Sequence, residues 1–213
     1  MRGAALEYLK WYYDTNVWKH LHYRGVRTLK FPPDMWGYQE LMFENDIHWV
    51  LETGTRHGGS ALFFADWLSA ASREGIVVSV DVTHEALHAT VPAHPRIRLL
   101  LGDSASPEAI KAIQQLIPND RGHGLLLILD SDHTAGHVRR ELNALVPLLR
   151  KGDYLVVEDT IVNGHPVRPN FGPGPLEAIE AYVVENPGKL APDAEREGKF
   201  GCTFAYRGYY RVR

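Results

Sequence analysis

The chain has 213 residues, 45% of them apolar and 23% charged, a balance that excludes a disordered or collagen-like polypeptide. Its 23 basic against 26 acidic side chains leave a formal charge of −3, with no basic excess to hold nucleic acid or an anionic membrane. Cys202 is the single cysteine, which excludes an intrachain disulfide and a cysteine-rich zinc module and fits a reducing cytoplasm.

In chain order, residues 1 to 46 read as a helical N-terminal cap, rich in Trp and Tyr and interrupted at Phe31-Pro32-Pro33-Asp34. Neither this segment nor any later one offers the apolar run of a signal peptide or a membrane span, so a soluble cytoplasmic protein is expected. From residue 47 a pattern recurs in which a short apolar run ends in an acid. Ile47–Leu51 runs into Glu52, Ile76–Val80 into Asp81, Ile97–Leu101 into Gly102-Asp103, Leu125–Leu129 into Asp130, and Tyr154–Val157 into Glu158-Asp159. Continuous apolar runs of this length predict strands of a parallel sheet covered on both faces.

Between the runs lie crossover helices. Gly59–Ser72 carries Leu62, Phe63, Trp67 and Leu68 at helical spacing. Ser106-Pro107-Glu108 caps and opens a helix running to about Ile117, and His133–Leu149 places Val138, Leu142, Leu145 and Val146 on one side. Residues 82 to 95 are poorly periodic and give only a weak helix signal. A Gly/Pro-rich loop over 160–175 reads as a lid, a helix follows near Leu176–Asn186, and CTFAYRGYYRVR closes the chain as one or two strands. The order βαβαβαβαβ predicts a single domain over 1–213, an α/β doubly wound sheet with a core at 47–213.

Ligands of open α/β sheets bind outside the carboxyl ends of the strands, which is where all of these acids fall. One terminal Asp is ordinary turn chemistry; a series of five is a functional edge. In the first turn, Glu52-Thr53-Gly54-Thr55-Arg56-His57-Gly58-Gly59-Ser60, Arg56 replaces the second Gly of a dinucleotide fingerprint. Glu52 would repel a pyrophosphate there. The turn suits a cationic, amino-acid-bearing nucleoside, with Asp81 on the ribose hydroxyls and Gly102-Asp103-Ser104 on the base edge. Asp130, Glu158 and Asp159 would crowd three carboxylates together unless a cation neutralised them, and all-oxygen ligation points to Mg²⁺. His133, three residues after Asp130, is placed to accept a proton. His133 and His137 also form an H-x-x-x-H pair, but Thr134 stands where a zinc protease carries Glu, and His137 reads as a helix-surface residue. The other nine histidines read as structural.

These segments resemble the S-adenosylmethionine-dependent O-methyltransferases grouped with cephalosporin hydroxylases and rhamnosyl or macrolide-sugar O-methyltransferases. PPDMWGYQE (32–40), ETGTRHGGSALFFAD (52–66), VSVDV (78–82), GDSASP (102–107), LDSDHTAGHVRREL (129–142), GDYLVVEDT (152–160) and FGPGPLEAIEAYV (171–183) carry the likeness. It implies a Rossmann-like class I methyltransferase fold with an antiparallel last strand. It also implies S-adenosyl-L-methionine held by Tyr38, Gln39, Glu52, Gly54, Arg56, Gly59, Ser60, Asp81, Asp103, Ser104, Asp130 and Asp132. Mg²⁺ would lie on Asp130, Glu158 and Asp159, with His133 as general base. The implied acceptor is a hydroxyl of a sugar or natural product, and family members are often homo-oligomers. A nicotinamide-dependent oxidoreductase and a non-catalytic cofactor-binding subunit are the alternatives. A hydroxylase would need an iron triad, and no H-x-D or H-x-E occurs in the chain.

Overall fold

The structure is a computed structural model that describes residues 3–213; Met1 and Arg2 of the expected cap lie outside the described residues. Helix α1 (Gly3–Asp14) buries Leu9 and Tyr12, a 3₁₀ turn follows at Val17–His20, and β1 (His22–Tyr23) pairs antiparallel with β2 (Val26–Arg27). The cap is therefore not wholly helical, as a two-stranded ribbon stands at its centre. Pro32 and Pro33 begin a helix rather than merely interrupt one. They occupy the first turn of α2 (Pro32–Glu44), where a missing N–H costs nothing.

The core continues as β3 (Ile47–Thr53), α3 (Gly59–Ala70), β4 (Val77–Asp81), β5 (Ile97–Leu101), α4 (Pro107–Leu116) and β6 (Gly124–Leu129). Next come α5 (Ala135–Leu145), β7 (Tyr154–Val157), α6 (Pro175–Glu185), β8 (Leu190–Pro192), the short α7 (Ala194–Gly198) and β9 (Tyr209–Val212). Seven strands form one sheet in the order β5-β4-β3-β6-β7-β9-β8. The four pairings from β5 through β7 are parallel, and β9 runs antiparallel between β7 and β8. No helix forms between residues 82 and 96, where turns carry the chain from β4 to β5.

Alternation inside the apolar runs builds two layers. Leu125, Leu127 and Leu129 of β6 pack with Ile113, Leu142 and Ile179 from α4, α5 and α6. Leu126 and Ile128 face the other way, against Tyr38, Leu41 and Phe64 from α2 and α3. A strand buried on both sides is thus apolar at every position, the pattern visible in the sequence. A third cluster joins Leu9 and Tyr12 to Phe31, Ile161, Val162, Val167 and Phe204. Phe31 and Phe204 stack at 4.9 Å, 6° from parallel. The expected lid is therefore anchored by Ile161, Val162 and Val167, which α1 covers. Among the described residues no helix is long and apolar enough to cross a membrane.

Candidate active site

Strand order reverses between β3 and β6, since β3 leads outward to β4 and β6 to β7. This switch point is where an open α/β sheet leaves a crevice. The two strand ends are pressed together. A Cβ on Gly54, which has φ +86°, would meet Asp130 O at 2.0 Å, and the Asp130 amide donates to Thr53 Oγ1 at 3.2 Å. Gly59 is equally constrained, because a Cβ there would lie 2.0 Å from Thr28 Oγ1 and 2.4 Å from Arg27 O. Chain packing alone therefore requires both glycines, before any ligand is considered.

A cavity of about 660 Å³ opens over this edge. Of the residues singled out in the sequence, Gly54, Arg56, Gly59, Ser60, Asp81, Asp103, Ser104, Asp130, Asp132, His133 and Asp159 line it. Asp81 accepts the Arg56 amide at 2.8 Å and the Thr83 amide at 3.3 Å, so the backbone of Arg56, not its guanidinium, fixes the acid. Asp103 accepts the Ala105 amide at 2.9 Å and an Arg140 N–H at 3.3 Å, the amide chiefly holding its carboxyl below the usual range. Asp132 accepts the Thr134 amide at 2.7 Å and is likewise lowered by Thr134. Thr134 caps α5, so His133 precedes the helix instead of starting it.

Four expected residues lie elsewhere. Glu52 is buried behind the first turn, where the Ser79 hydroxyl donates to it at 2.8 Å. Burial raises its pKa against the pull of Lys30, Ser79 and Ser60. Tyr38 is fully buried and donates its phenol to Glu158; Gln39 is half-buried on α2 and does not line the cavity. Glu158 is turned inward, accepting both the Tyr38 hydroxyl and the Lys30 ammonium on Oε1.

Lys30 was not foreseen. Its Nζ donates to Asp130 Oδ2 and to Glu158 Oε1, each at 2.7 Å. Burial alone would lower its pKa, but the two carboxylates more than offset this and hold it charged. Lys30 sits in a stretch with no helical or strand periodicity, 100 residues from Asp130, so no local spacing advertised it. Arg27, Thr28, Tyr13, Trp18, Arg168 and Phe204 reach the cavity the same way, through the fold of the cap and loop.

At the inner end of the cavity, Asp130, His133 and Asp159 each offer a ligand atom, all within 4.8 Å of one another. His133 Nε2 lies 3.3 Å from Asp159 Oδ2. Burial raises the pKa of Asp130 to about 7, and it also raises that of Asp159. When all three are ionised, Asp130, Glu158 and Asp159 outnumber the Lys30 ammonium that bridges Asp130 and Glu158, leaving 3 − 1 = 2 negative charges. A hard divalent cation matches both that charge and the oxygen donors, so the residues fit Mg²⁺, with Asp130 and Asp159 nearest. His137 belongs to another group. It is not the surface residue expected, since its side chain is 12% exposed, lines the cavity and lies 3.3 Å from Glu141.

A second cluster, Asp46, His48 and His123, lies at the opposite edge of the sheet, around the starts of β3 and β6. There the Arg73 guanidinium already neutralises Asp46 and lies 3.1 Å from His48 Nε2. The Glu74 amide donates to His48 Nδ1 at 3.3 Å, which leaves the ring proton on Nε2, 3.4 Å from Asp46 Oδ1, and the group is satisfied as an ion-pair cluster.

The strand order, the antiparallel β9 and the acid-lined crevice at the switch point define a Rossmann-like methyltransferase. The chain belongs to the rhamnosyl O-methyltransferase/CmcI family, whose model matches residues 15–213, and this makes it an O-methyltransferase. It is 46% identical over 207 residues to a rhamnosyl O-methyltransferase of Mycobacterium bovis (strain BCG / Pasteur 1173P2), covering 97% of this chain and 84% of the relative. The corresponding protein of Mycobacterium leprae (strain TN) is 45% identical over 97% of this chain and 90% of its own length. Among solved structures, CmcI with Mg and SAM superposes with a TM-score of 0.71 at 21% identity, covering 92% of this chain and 77% of that one. MycE, a methyltransferase from the mycinamycin biosynthetic pathway in complex with Mg, SAH and mycinamycin VI, gives a TM-score of 0.55 at 20% identity over 83% of this chain and 48% of its own. These two likenesses speak for the fold.

Proposed function

We propose that this protein transfers the methyl group of S-adenosylmethionine to a sugar hydroxyl, with Mg²⁺ held at the inner end of the cavity. One observation carries the reading: Asp130, His133 and Asp159 converge within 4.8 Å on the wall of the same cavity that passes Asp81 and Asp103. A hydroxyl-activating group and a nucleoside-binding edge thus share one chamber. The names of the curated relatives support a rhamnosyl acceptor.

In this reading the Gly54 turn and Ser60 take the methionine end of the donor, Asp81 the ribose, and Asp103 and Ser104 the base, with Arg56, Gly59 and Asp132 completing the rim. Glu52, Tyr38 and Gln39 act from behind the wall. Tyr38 and Lys30 fix Glu158, and through it the charge balance of the site. When bound, the cation acidifies the acceptor hydroxyl and the donor supplies its sulfonium methyl. Asp130 and Asp159 hold that cation. His133 takes the hydroxyl proton as the oxygen attacks, and Asp159, 3.3 Å from its Nε2, stabilises the resulting imidazolium. His133 is 30% exposed, so the proton has a path to solvent. Tyr13, Trp18 and Phe204 give the chamber an apolar wall against which a sugar ring packs. Orientation within the closed wall supplies much of the acceleration.

The test is methyl transfer by the purified protein to rhamnosylated glycolipids and simpler rhamnosides, with the donor and Mg²⁺. A methylated sugar, lost on chelation and regained with Mg²⁺ or Mn²⁺, is the expected result. Donor binding without transfer to any sugar overturns the acceptor class, and absence of donor binding overturns the reading as a whole.

A further inference from the structure

The rim of the cavity between the ends of β5 and β6 is backed by a carboxylate with no place in the chemistry above. Glu141, on α5, is fully buried. Ser104, just after β5, and Ser131, just after β6, both donate their hydroxyl protons to its Oε1, Ser131 at 2.7 Å. Both serines line the cavity. His137 closes the group from the third side. Its Nδ1 accepts from Arg140 at 2.9 Å, so in the neutral ring the proton sits on Nε2, which lies 3.3 Å from the same Oε1. The pKa of His137 is raised, first of all by Glu141.

A serine hydroxyl has one proton and two lone pairs. Once the proton is given to Glu141, only lone pairs remain to face the cavity. Glu141 cannot relax this arrangement, because its Oε2 is buried and finds no donor at all. A buried carboxylate that lacks donors on one oxygen does not release the two protons held on the other.

We infer that Glu141 is a specificity-determining positioning residue, which locks Ser104 and Ser131 as hydrogen-bond acceptors and so selects a donor nucleoside whose base turns an exocyclic amino group toward them, as a 6-amino purine does, over one that places a carbonyl oxygen there. This rests on the reading of the cavity as a nucleoside site, and it adds the direction of the hydrogen bonds. A 6-oxo purine would set an acceptor oxygen against fixed lone pairs, and neither serine is free to turn. Sites that bury such polar groups reject the wrong analogue more strongly than apolar pockets do.

The experiment compares S-adenosylhomocysteine with its deaminated analogue S-inosylhomocysteine by calorimetry, on the wild type, Glu141→Gln and Ser131→Ala, with melting temperatures on the same samples. The wild type is expected to prefer the adenosyl compound by more than about tenfold. Glu141→Gln places an amide that both donates and accepts behind the serines, freeing them to turn, so the preference collapses toward parity. Ser131→Ala removes one locked acceptor and narrows the preference less, even if the buried Gln variant proves too unstable to measure. A merely structural Glu141 would lower melting temperature and both affinities together and leave their ratio unchanged, which overturns the assignment. Equal binding of the two compounds by the wild type overturns it as well, with the nucleoside site intact. Binding of neither overturns the reading of the cavity and this inference with it.

Discussion

The Lys30 ammonium lies 2.7 Å from Glu158 Oε1, a partner 128 residues further along the chain, and both side chains are only 3% exposed. A pair this deep is worth little as attraction alone, because desolvation consumes most of the Coulomb gain, but losing one member leaves an uncompensated buried charge. Here the pair also sets the charge that a metal ion meets, turning three carboxylates into a site of net −2.

Lys30→Met should therefore destabilise the metal-free protein by about 3–5 kcal/mol. Mg²⁺ should stabilise the variant more than the wild type, because it then meets one more unbalanced carboxylate. Urea unfolding with chelator and with Mg²⁺ measures both; a variant as stable as wild type under chelation contradicts the account.

Asp34 is a second buried acid near Glu158, accepting the Phe204 amide at 2.8 Å and the Tyr209 hydroxyl at 3.2 Å. Burial, with the Glu158 charge added, raises its pKa from 3.8 to about 7. Between those values the native state binds more protons than the unfolded chain, so this group's contribution to stability falls as pH rises through the window and is flat above it. Asp34→Asn cannot titrate. The stability difference, wild type minus variant, should shrink steadily from pH 4 to 7 in denaturation experiments. A difference independent of pH would mean that Asp34 is charged throughout.

Glu177 ties the 160–175 loop to α6. It accepts from Asn163 at 2.8 Å and from the Gly174 amide at 2.7 Å, and lies 2.9 Å from His165 Nε2. Burial would raise its pKa, but these partners outweigh it and hold the carboxyl at about 2. Glu177→Ala should cost about 1 kcal/mol as a lost cap and increase hydrogen exchange over residues 163–174. A depressed carboxyl contributes above its unfolded value and loses that contribution on acidification toward its folded one, so the cost should fade below pH 4.5. Exchanging residues 163–174 should change acceptor choice and leave donor affinity nearly intact, since Arg168 lines the cavity from this loop while Asp81 ends β4 and Asp103 follows β5.

The strands and most crossover helices were legible because a doubly buried strand is apolar throughout and a crossover helix on one face. Leu125–Leu129 shows the first and α4 the second. The acids were legible because they terminate those runs. What the sequence hid depends on distant packing. Lys30 gains its meaning only when the cap folds over the sheet, and β1–β2 is too short to show a period. Glu158 and Asp159 are adjacent, yet a positive φ of 53° at Asp159 splits them, sending one inward to Lys30 and the other to the cavity beside His133. Alternation along a strand cannot anticipate such a residue. His137 read as a surface residue because its partner, Glu141, is itself a charge at helical spacing on a face that the cavity, not solvent, covers.

The central claim, that Asp130, His133 and Asp159 form a metal-assisted proton-abstracting site, is tested most directly on His133→Ala. Turnover with saturating donor, acceptor and Mg²⁺ should be measured beside donor affinity and melting temperature on the same sample. The expected result is a loss of about 10²–10⁴-fold in turnover that added Mg²⁺ does not restore, with donor affinity and melting temperature unchanged. Full turnover with a lowered melting temperature would remove His133 from the mechanism and leave it a structural residue ahead of α5.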